Sequence, residues 1–186
     1  MTKDYLRYYD LESYLLDEVH QRFHREGKLD AFDFFSIIIW KANRSKSTLA
    51  HRLGKRPGGL EKAVAEFTRE LFEAKSHEDR LRLTMEKWGF YLPMASAILT
   101  VLWPEEFTVY DVRVCDQLAR ANMGEFSGLA NIGAKRIWPR YCEYCEAVKR
   151  AVPEHRKLRD KDRFLWGRSS ALQLEKDIAA GFPKAT

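Results

Sequence analysis

The sequence is poor in cysteine and has no long apolar run. Three cysteines in 186 residues are too few, and odd in number, for a disulfide scaffold, which favours a reducing, cytoplasmic setting. The longest apolar stretch, from Ala95 to Trp103, is far too short to span a bilayer. Because no apolar run follows the charged start of the chain, we expect neither a secretory signal nor contact with a membrane.

Acidic residues are missing from one long segment. Between Phe34 and Leu60 there is no aspartate or glutamate, whereas the basic residues are Lys41, Arg44, Lys46, Arg52, Lys55 and Arg56. The whole chain has 32 basic and 27 acidic residues and a formal charge of +5, a small excess. A segment of one sign favours a polyanionic partner, and nucleic-acid phosphate is the commonest. The alternative is a solvated basic loop without a partner.

Strand patterns are also absent, because apolar residues recur at helical spacing along nearly the whole chain. With 45% hydrophobic residues, the chain can bury a core, and we predict one compact all-α domain over residues 1–186, as a monomer. Helices are predicted from Leu11 to Phe23, Phe32 to Trp40, Leu60 to Leu71, Glu78 to Trp88, Met94 to Leu102, Asp111 to Ala121 and Ala134 to Ala151. Gly27 is expected to end the first of them, and Asp30 and Ser76 are candidate N-caps. Arg44 to Gly59 is interpreted as a basic loop, and Phe164, Leu165 and Trp166 are expected to dock the charged tail.

One stretch combines several features that carry chemistry. From Gly89 to Leu118 the sequence is GFYLPMASAILTVLWPEEFTVYDVRVCDQL. A turn at Gly89 joins two helices, the second helix is apolar on all sides, and a short extended arm leads to Asp111 at the start of the next helix. Taken alone, Asp111 is an ordinary N-cap, a position that aspartate prefers.

The hairpin, the buried helix, the arm and the acid together resemble the helix-hairpin-helix superfamily of DNA glycosylases. The resemblance implies an all-α fold of two helical lobes with the active-site cleft between them. It implies a helix-hairpin-helix at about 78–102 and a helix carrying the catalytic aspartate at about 111–121. In such enzymes the base is rotated out of the duplex, and the carboxylate of Asp111 would stabilise the developing sugar cation or activate water.

The resemblance also implies roles for other residues. Phe32 to Lys46 resembles the early apolar helix of the superfamily and the loop that follows it. Trp40 and Lys41 are then candidates for the base pocket, although Trp40 fits plain core packing as well. By the same resemblance, Asn43 or Arg44 would fill the gap that the flipped base leaves, and Lys46 would lie close to phosphate. Gly89, Tyr91 and Arg113 are further candidate DNA contacts. Arg113 equally fits a surface arginine.

The chain departs from the superfamily pattern at two positions. Tyr91 stands where the hairpin usually has its second glycine, and tyrosine adopts positive φ less easily than glycine does. Pro93 stands where bifunctional members have the lysine that forms a Schiff base. The departure predicts a monofunctional enzyme that leaves an abasic site, unless Lys41 or Lys87 replaces the missing nucleophile.

No metal or other cofactor is expected. The four-cysteine cluster of some superfamily members is missing. Cys142 and Cys145 form a C-x-x-C pair without a second pair, so we interpret them as packing residues. His20 and His24 lie one helical turn apart, as metal ligands can, but they fit a polar helix face better.

Three functions remain open at this level. The first is a monofunctional glycosylase that removes a damaged or modified base from double-stranded DNA, in repair or in defence against phage with modified cytosines. The second is a non-catalytic DNA-binding protein on the same scaffold. The third is a helical interaction protein unrelated to DNA, against which the acid-free basic segment argues.

Overall fold

A computed structural model describes residues 5–152 and 157–182. Within these ranges the chain is mostly helical, with turns and short extended connections and no β-strand. The all-α class predicted from the sequence is therefore confirmed.

The helices follow one another with short connections. In the first segment, α1 (Leu11–Ser13), a π-helical turn (Tyr14–Val19) and α2 (His20–Glu26) are continuous. They are followed by α3 (Ala31–Ala42), α4 (Lys46–Gly54), α5 (Gly59–Glu73) and α6 (His77–Arg82), which continues through a π-helical turn (Leu83–Lys87). The second half of the chain forms α7 (Leu92–Leu102), α8 (Val112–Arg120), α9 (Ala134–Ala151) and α10 (Leu158–Ala179).

Local capping signals set several helix ends. The carboxylate of Asp30 accepts a hydrogen bond of 2.8 Å from the backbone N–H of Asp33, and the hydroxyl of Ser76 accepts one of 3.0 Å from that of Asp79. Gly27 ends α2 in the left-handed conformation, with φ of 69°, which glycine adopts without steric cost. These three predicted caps are confirmed.

The apolar helix α7 lies at the centre of the fold. Every residue from Ala95 to Leu102 is buried, as its sequence predicts, and α7 contacts α2, α3 and α6. At its C-terminal end, ring nitrogens of His20 and His24 lie 3.1 and 2.7 Å from the carbonyl oxygens of Val101 and Leu102. Carbonyls of a last helical turn have no partner within the helix, so the two histidines satisfy them from α2.

The interpretation of Arg44 to Gly59 as a loop is wrong. Residues 46–54 form α4, and Leu53 in it is buried. Leu49, one turn earlier, packs partly against the core. The two leucines are four residues apart, which is the spacing of a buried helix face. The basic side chains around them obscure this pattern in the sequence.

The tail docks differently from the prediction. It forms the long helix α10, in which Leu158 and Leu165 are buried. Phe164 and Trp166, expected to dock beside Leu165, keep 40% and 46% of their surface exposed. Neighbouring residues of a helix point about 100° apart, so these three consecutive side chains cannot all face the core.

Candidate active site

Asp111 begins α8 and has a backbone partner and a side-chain partner. Its Oδ1 accepts a hydrogen bond of 3.0 Å from the backbone N–H of Arg113, which makes it the N-cap of α8. Its Oδ2 lies 2.9 Å from Nζ of Lys41, at the C-terminal end of α3. The carboxylate is 23% exposed and the lysine side chain 16%, so the pair is half-buried and still open to a ligand.

Side chains from other helices hold the extended arm that carries Asp111. The hydroxyl of Tyr141 donates to the carbonyl of Thr108 at 2.6 Å and accepts from its N–H at 3.2 Å. Tyr144 donates to the carbonyl of Val109 at 2.9 Å. Because an extended segment has no hydrogen bonds of its own, these side chains supply the partners that a buried backbone requires.

Two further side chains hold the same arm. Asp162 of α10 accepts from the hydroxyl of Thr108 at 2.7 Å and from the N–H of Val109 at 3.1 Å. Ser96 of α7 accepts from the N–H of Tyr110 at 2.9 Å. Burial raises the pKa of the Asp162 carboxyl, whereas the charge of Arg159 and the bond from Thr108 act against that rise. The position of Asp111 therefore depends on α7, α9 and α10 together.

A cleft of about 390 Å³ opens in front of Asp111 and Lys41. Its volume lies within the range of about 300–1,000 Å³ that small-molecule sites have. The residues that line it come from α1, α3, the arm, α8 and α10: Glu12, Trp40, Lys41, Val109, Asp111, Val114, Arg159, Asp162, Arg163 and Trp166. The structure thus brings the predicted catalytic residue and both predicted base-pocket residues to one cleft.

Polar contacts organise the part of the cleft around Trp40. Its indole N–H donates to Oε2 of Glu12 at 3.3 Å, and Nε of Arg159 donates to Oε1 of the same carboxylate at 2.8 Å. The guanidinium of Arg159 lies 5.0 Å from the centre of the Trp40 ring and also pairs with Asp162. Trp40 packs partly against the core, as one interpretation predicts, and it also lines the cleft, so its role in a base pocket stays a prediction.

The hairpin turn needs positive φ at Gly89 only. Gly89 has φ of 66°, whereas Tyr91 has φ of −71° and ψ of 154° as the residue before α7. The expected conflict between a tyrosine side chain and a left-handed backbone therefore does not arise. Tyr91 is 83% exposed, and Pro93 lies in the first turn of α7, where proline is tolerated.

Two arginines of the basic segment bind the hairpin. Nη1 of Arg52 donates to the carbonyl of Gly89 at 2.6 Å, and its guanidinium lies 4.8 Å from the ring centre of Phe90. Nη2 of Arg56 donates to the carbonyl of Lys87 at 3.1 Å, and its guanidinium lies 3.8 Å from the ring centre of Trp88. Part of the positive charge of the basic segment therefore binds backbone carbonyls of the protein itself.

The other predicted DNA contacts lie outside the cleft. Asn43 and Arg44 occupy an exposed 3-10 turn (Asn43–Ser45) directly after α3. Nζ of Lys46 donates to Oδ1 of Asn43 at 2.6 Å. The guanidinium of Arg113 lies 5.5 Å from the ring centre of Trp166, so this arginine contacts an aromatic side chain of the cleft.

The two lysines considered as replacement nucleophiles have different surroundings. Lys41 lies in the cleft beside Asp111. Lys87 lies at the hairpin, where its Nζ is 2.5 Å from Oε1 of Glu70, and it does not line the cleft.

Two of the three cysteines, Cys115 and Cys145, are packing residues of the hydrophobic core. Cys115 and Cys145 are buried and Cys142 is half-buried. Burial raises the pKa of Cys115 to about 11 and that of Cys145 to about 12. Among residues 5–152 and 157–182, no group of three or more histidine, cysteine or carboxylate side chains is arranged to hold a metal ion.

Sequence reasoning missed half of the cleft. Glu12 and the α10 residues Arg159, Asp162, Arg163 and Trp166 were not identified as site residues. A signal was present, because the four α10 residues are spaced three, four and seven apart from the first and so share one helix face. Nothing in that spacing indicates which other helix the face contacts.

Comparison with known proteins finds no relative: no protein-family model, no curated protein and no solved structure matches this chain. In the described ranges, no helix combines the length and apolar character that crossing a membrane requires.

Proposed function

We propose that this protein is a monofunctional DNA glycosylase of the helix-hairpin-helix type. It binds double-stranded DNA, rotates a damaged or modified base into the cleft and hydrolyses the N-glycosidic bond, leaving an abasic site. Asp111 is the catalytic carboxylate, and Trp40 and Lys41 belong to the base pocket.

The observation that carries this proposal is the meeting of Asp111, Lys41 and Trp40 in one cleft. Seventy residues separate Lys41 from Asp111 in the chain, so a capping role alone gives no reason for their contact. An N-cap needs only the backbone N–H groups of its own helix. Here the second carboxylate oxygen points at a lysine and an open cleft, which is the setting that a charge-stabilising residue needs.

The reaction breaks the bond between C1′ of the deoxyribose and a nitrogen of the base. The electron pair of that bond moves to the base, and positive charge develops on the sugar, where the Asp111 carboxylate stabilises it. Water adds its oxygen to C1′ and gives a proton to Asp111, and the departing base nitrogen takes up a proton from solvent. The products are the free base and an abasic site.

The flipped base has an aromatic partner in Trp40. An indole face stacks on a purine or pyrimidine ring, and base flipping enzymes hold their substrate between such side chains. Outside the cleft, Asn43, Arg44 and Lys46 on the turn after α3 and the exposed hairpin residues Gly89 and Tyr91 are the proposed DNA contacts. Phosphate contacts by Lys46 and the hairpin would bind the DNA backbone without reading its sequence, while Asn43 or Arg44 would fill the gap that the flipped base leaves.

The test is base release from defined duplexes. Purified protein is incubated with duplexes that each carry one damaged or modified base, and alkali then cleaves the strand at any abasic site. We expect cleavage of at least one duplex by the wild type and none above background by Asp111→Asn. Equal behaviour of the two proteins on every duplex contradicts the enzyme proposal.

A binding titration distinguishes the proposed glycosylase from the alternative, a non-catalytic DNA-binding protein on the same scaffold. Affinity for plain duplex that falls steeply with salt, without release of any base, supports that alternative. An affinity that does not change with salt concentration contradicts nucleic acid as the binding partner.

A further inference from the structure

The α10 helix supplies one wall of the cleft. Arg159, Asp162, Arg163 and Trp166 line the cleft from α10. Arg159 and Asp162 bind each other and hold Trp40 and the arm, so they have structural work inside the protein. Arg163 and Trp166 are more exposed, at 54% of the Arg163 side chain and 46% of Trp166, although Arg163 also pairs with Asp160 at 3.3 Å and Trp166 lies 5.5 Å from the guanidinium of Arg113.

The charges around the cleft balance. Three carboxylates line it, those of Glu12, Asp111 and Asp162, and three cationic side chains, those of Lys41, Arg159 and Arg163. A cleft without net charge has no long-range preference for an anionic or a cationic ligand. A neutral ligand group beside α10 is compatible with this balance.

The hydrogen-bonding groups beside α10 restrict the chemical class of the ligand further. Arg163 has only donors and Glu12 only acceptors, and the two lie 3.5 Å apart at Nε and Oε1. A hydroxyl group donates and accepts, so it can bond to both of these neighbours at once. Trp166 adds an apolar ring, against which the carbon face of a hydroxyl-bearing group can pack.

We propose that Arg163, Trp166 and Glu12 form a subsite for a neutral, hydroxyl-bearing substituent on the base that enters the cleft. The volume of about 390 Å³ lies in the range of pockets that bury ligands of drug size, larger than a base ring alone. This inference rests on the proposed function and names its substrate class. Arg163 and Trp166 are the specificity-determining residues of the subsite.

The first experiment measures binding without requiring catalysis. Tryptophan fluorescence is titrated with free 5-(glucosyloxymethyl)-2′-deoxycytidine and with 2′-deoxycytidine. We expect the substituted nucleoside to bind about tenfold more tightly or better, the gain that one or two hydrogen bonds to charged groups provide. Equal affinity for the two nucleosides overturns the subsite.

Single-residue variants then show which side chains are responsible for the higher affinity for the substituted nucleoside. Arg163→Ala and Trp166→Ala are expected to remove most of the preference, and Trp166→Phe to keep part of it because a ring remains. The matched controls on the same helix are Arg168→Ala and Leu174→Ala, which change exposed side chains that do not line the cleft. Thermal unfolding of each variant checks that it is folded, and a preference that survives both alanine variants overturns the assignment.

Duplexes that carry the glucosylated base, a smaller modified base or unmodified cytosine separate this inference from the proposed function. Excision of small modified bases without a preference for the glucosylated one contradicts the subsite and leaves the glycosylase intact. Preferential binding of the glucosylated nucleoside with no excision from any duplex contradicts the glycosylase and supports the subsite. Preferential excision that falls about tenfold in Arg163→Ala, relative to unsubstituted substrate, supports both.

Discussion

Nζ of Lys41 lies 2.9 Å from Oδ2 of Asp111, while Oδ1 of the same carboxylate accepts the backbone N–H of Arg113. The two contacts fix the carboxylate plane from both sides. A capping aspartate at the start of α8 thereby becomes an oriented group at the edge of a cleft. This geometry leads to two predictions about Asp111 and Lys41, and the surrounding fold leads to three more.

Replacing Asp111 by asparagine is expected to separate capping from catalysis. Asparagine caps a helix about as well as aspartate, so the free energy of unfolding should change by no more than about 0.5–1 kcal/mol. Base release should fall by about 10²–10⁴-fold, because the charge beside the sugar is lost. Urea unfolding and the alkali-cleavage assay measure the two effects, and a folded variant with full activity contradicts the role of Asp111.

Lys41 is expected not to form a covalent intermediate. Its Nζ donates to Oδ2 of Asp111 at 2.9 Å, and a nitrogen engaged in that contact is not free to attack C1′ of the sugar. Borohydride should therefore trap no protein–DNA adduct, and strands should break only after alkali. An adduct that disappears in Lys41→Arg and persists in Lys87→Arg identifies Lys41 as a nucleophile and contradicts the prediction.

Arg52 and Arg56 are expected to stabilise the hairpin. Each combines a hydrogen bond to a hairpin carbonyl with a position close to an aromatic ring. Each alanine substitution should lower the free energy of unfolding by about 1–3 kcal/mol. Lys55→Ala, an exposed change in the same segment, serves as the control. Loss of DNA affinity without loss of stability would assign these arginines to phosphate instead.

The buried tyrosines are expected to make the fold sensitive to alkali. Burial raises the pKa of Tyr14 and of Tyr110 to about 12 and raises that of Tyr141 and Tyr144 well above the ordinary value. Between pH 10 and 12 these phenols are ionised in the unfolded chain but still protonated in the folded one, so the folded state binds more protons. Stability therefore falls as the pH rises through this window, by up to about 2–3 kcal/mol for a shift of two units. Urea unfolding at pH 8, 10 and 11 measures this loss, and unchanged stability would contradict it.

The thiols are expected to differ in reactivity. At pH 8 the raised pKa values of Cys115 and Cys145 keep both side chains as buried thiols, and the thiolate is the reactive form. Ellman's reagent should therefore modify no more than Cys142 in the folded protein and all three cysteines after unfolding. Rapid modification of three thiols in the native state would contradict the burial of Cys115 and Cys145.

Local features of the fold were predictable because their causes are local. Asp30 and Ser76 cap helices with their own side chains, and Gly27 and Gly89 adopt positive φ. Each of these effects involves residues within four positions of one another, so it is visible in the sequence. The prediction of a loop at residues 44–59 was wrong because the basic residues of this segment obscured the short apolar face of α4.

The sequence by itself determined most of the helices, although not α4 or α10, the turn at Gly89 and the place of Asp111 at the start of α8. Tertiary structure alone decided that Lys41 meets this carboxylate, that Arg52 and Arg56 bind the hairpin, and that α10 completes the cleft. Helical spacing specifies which side chains share a face, but not which distant helix that face contacts. That choice depends on how all the apolar faces are buried together, and it converts a capping aspartate into a candidate catalytic residue.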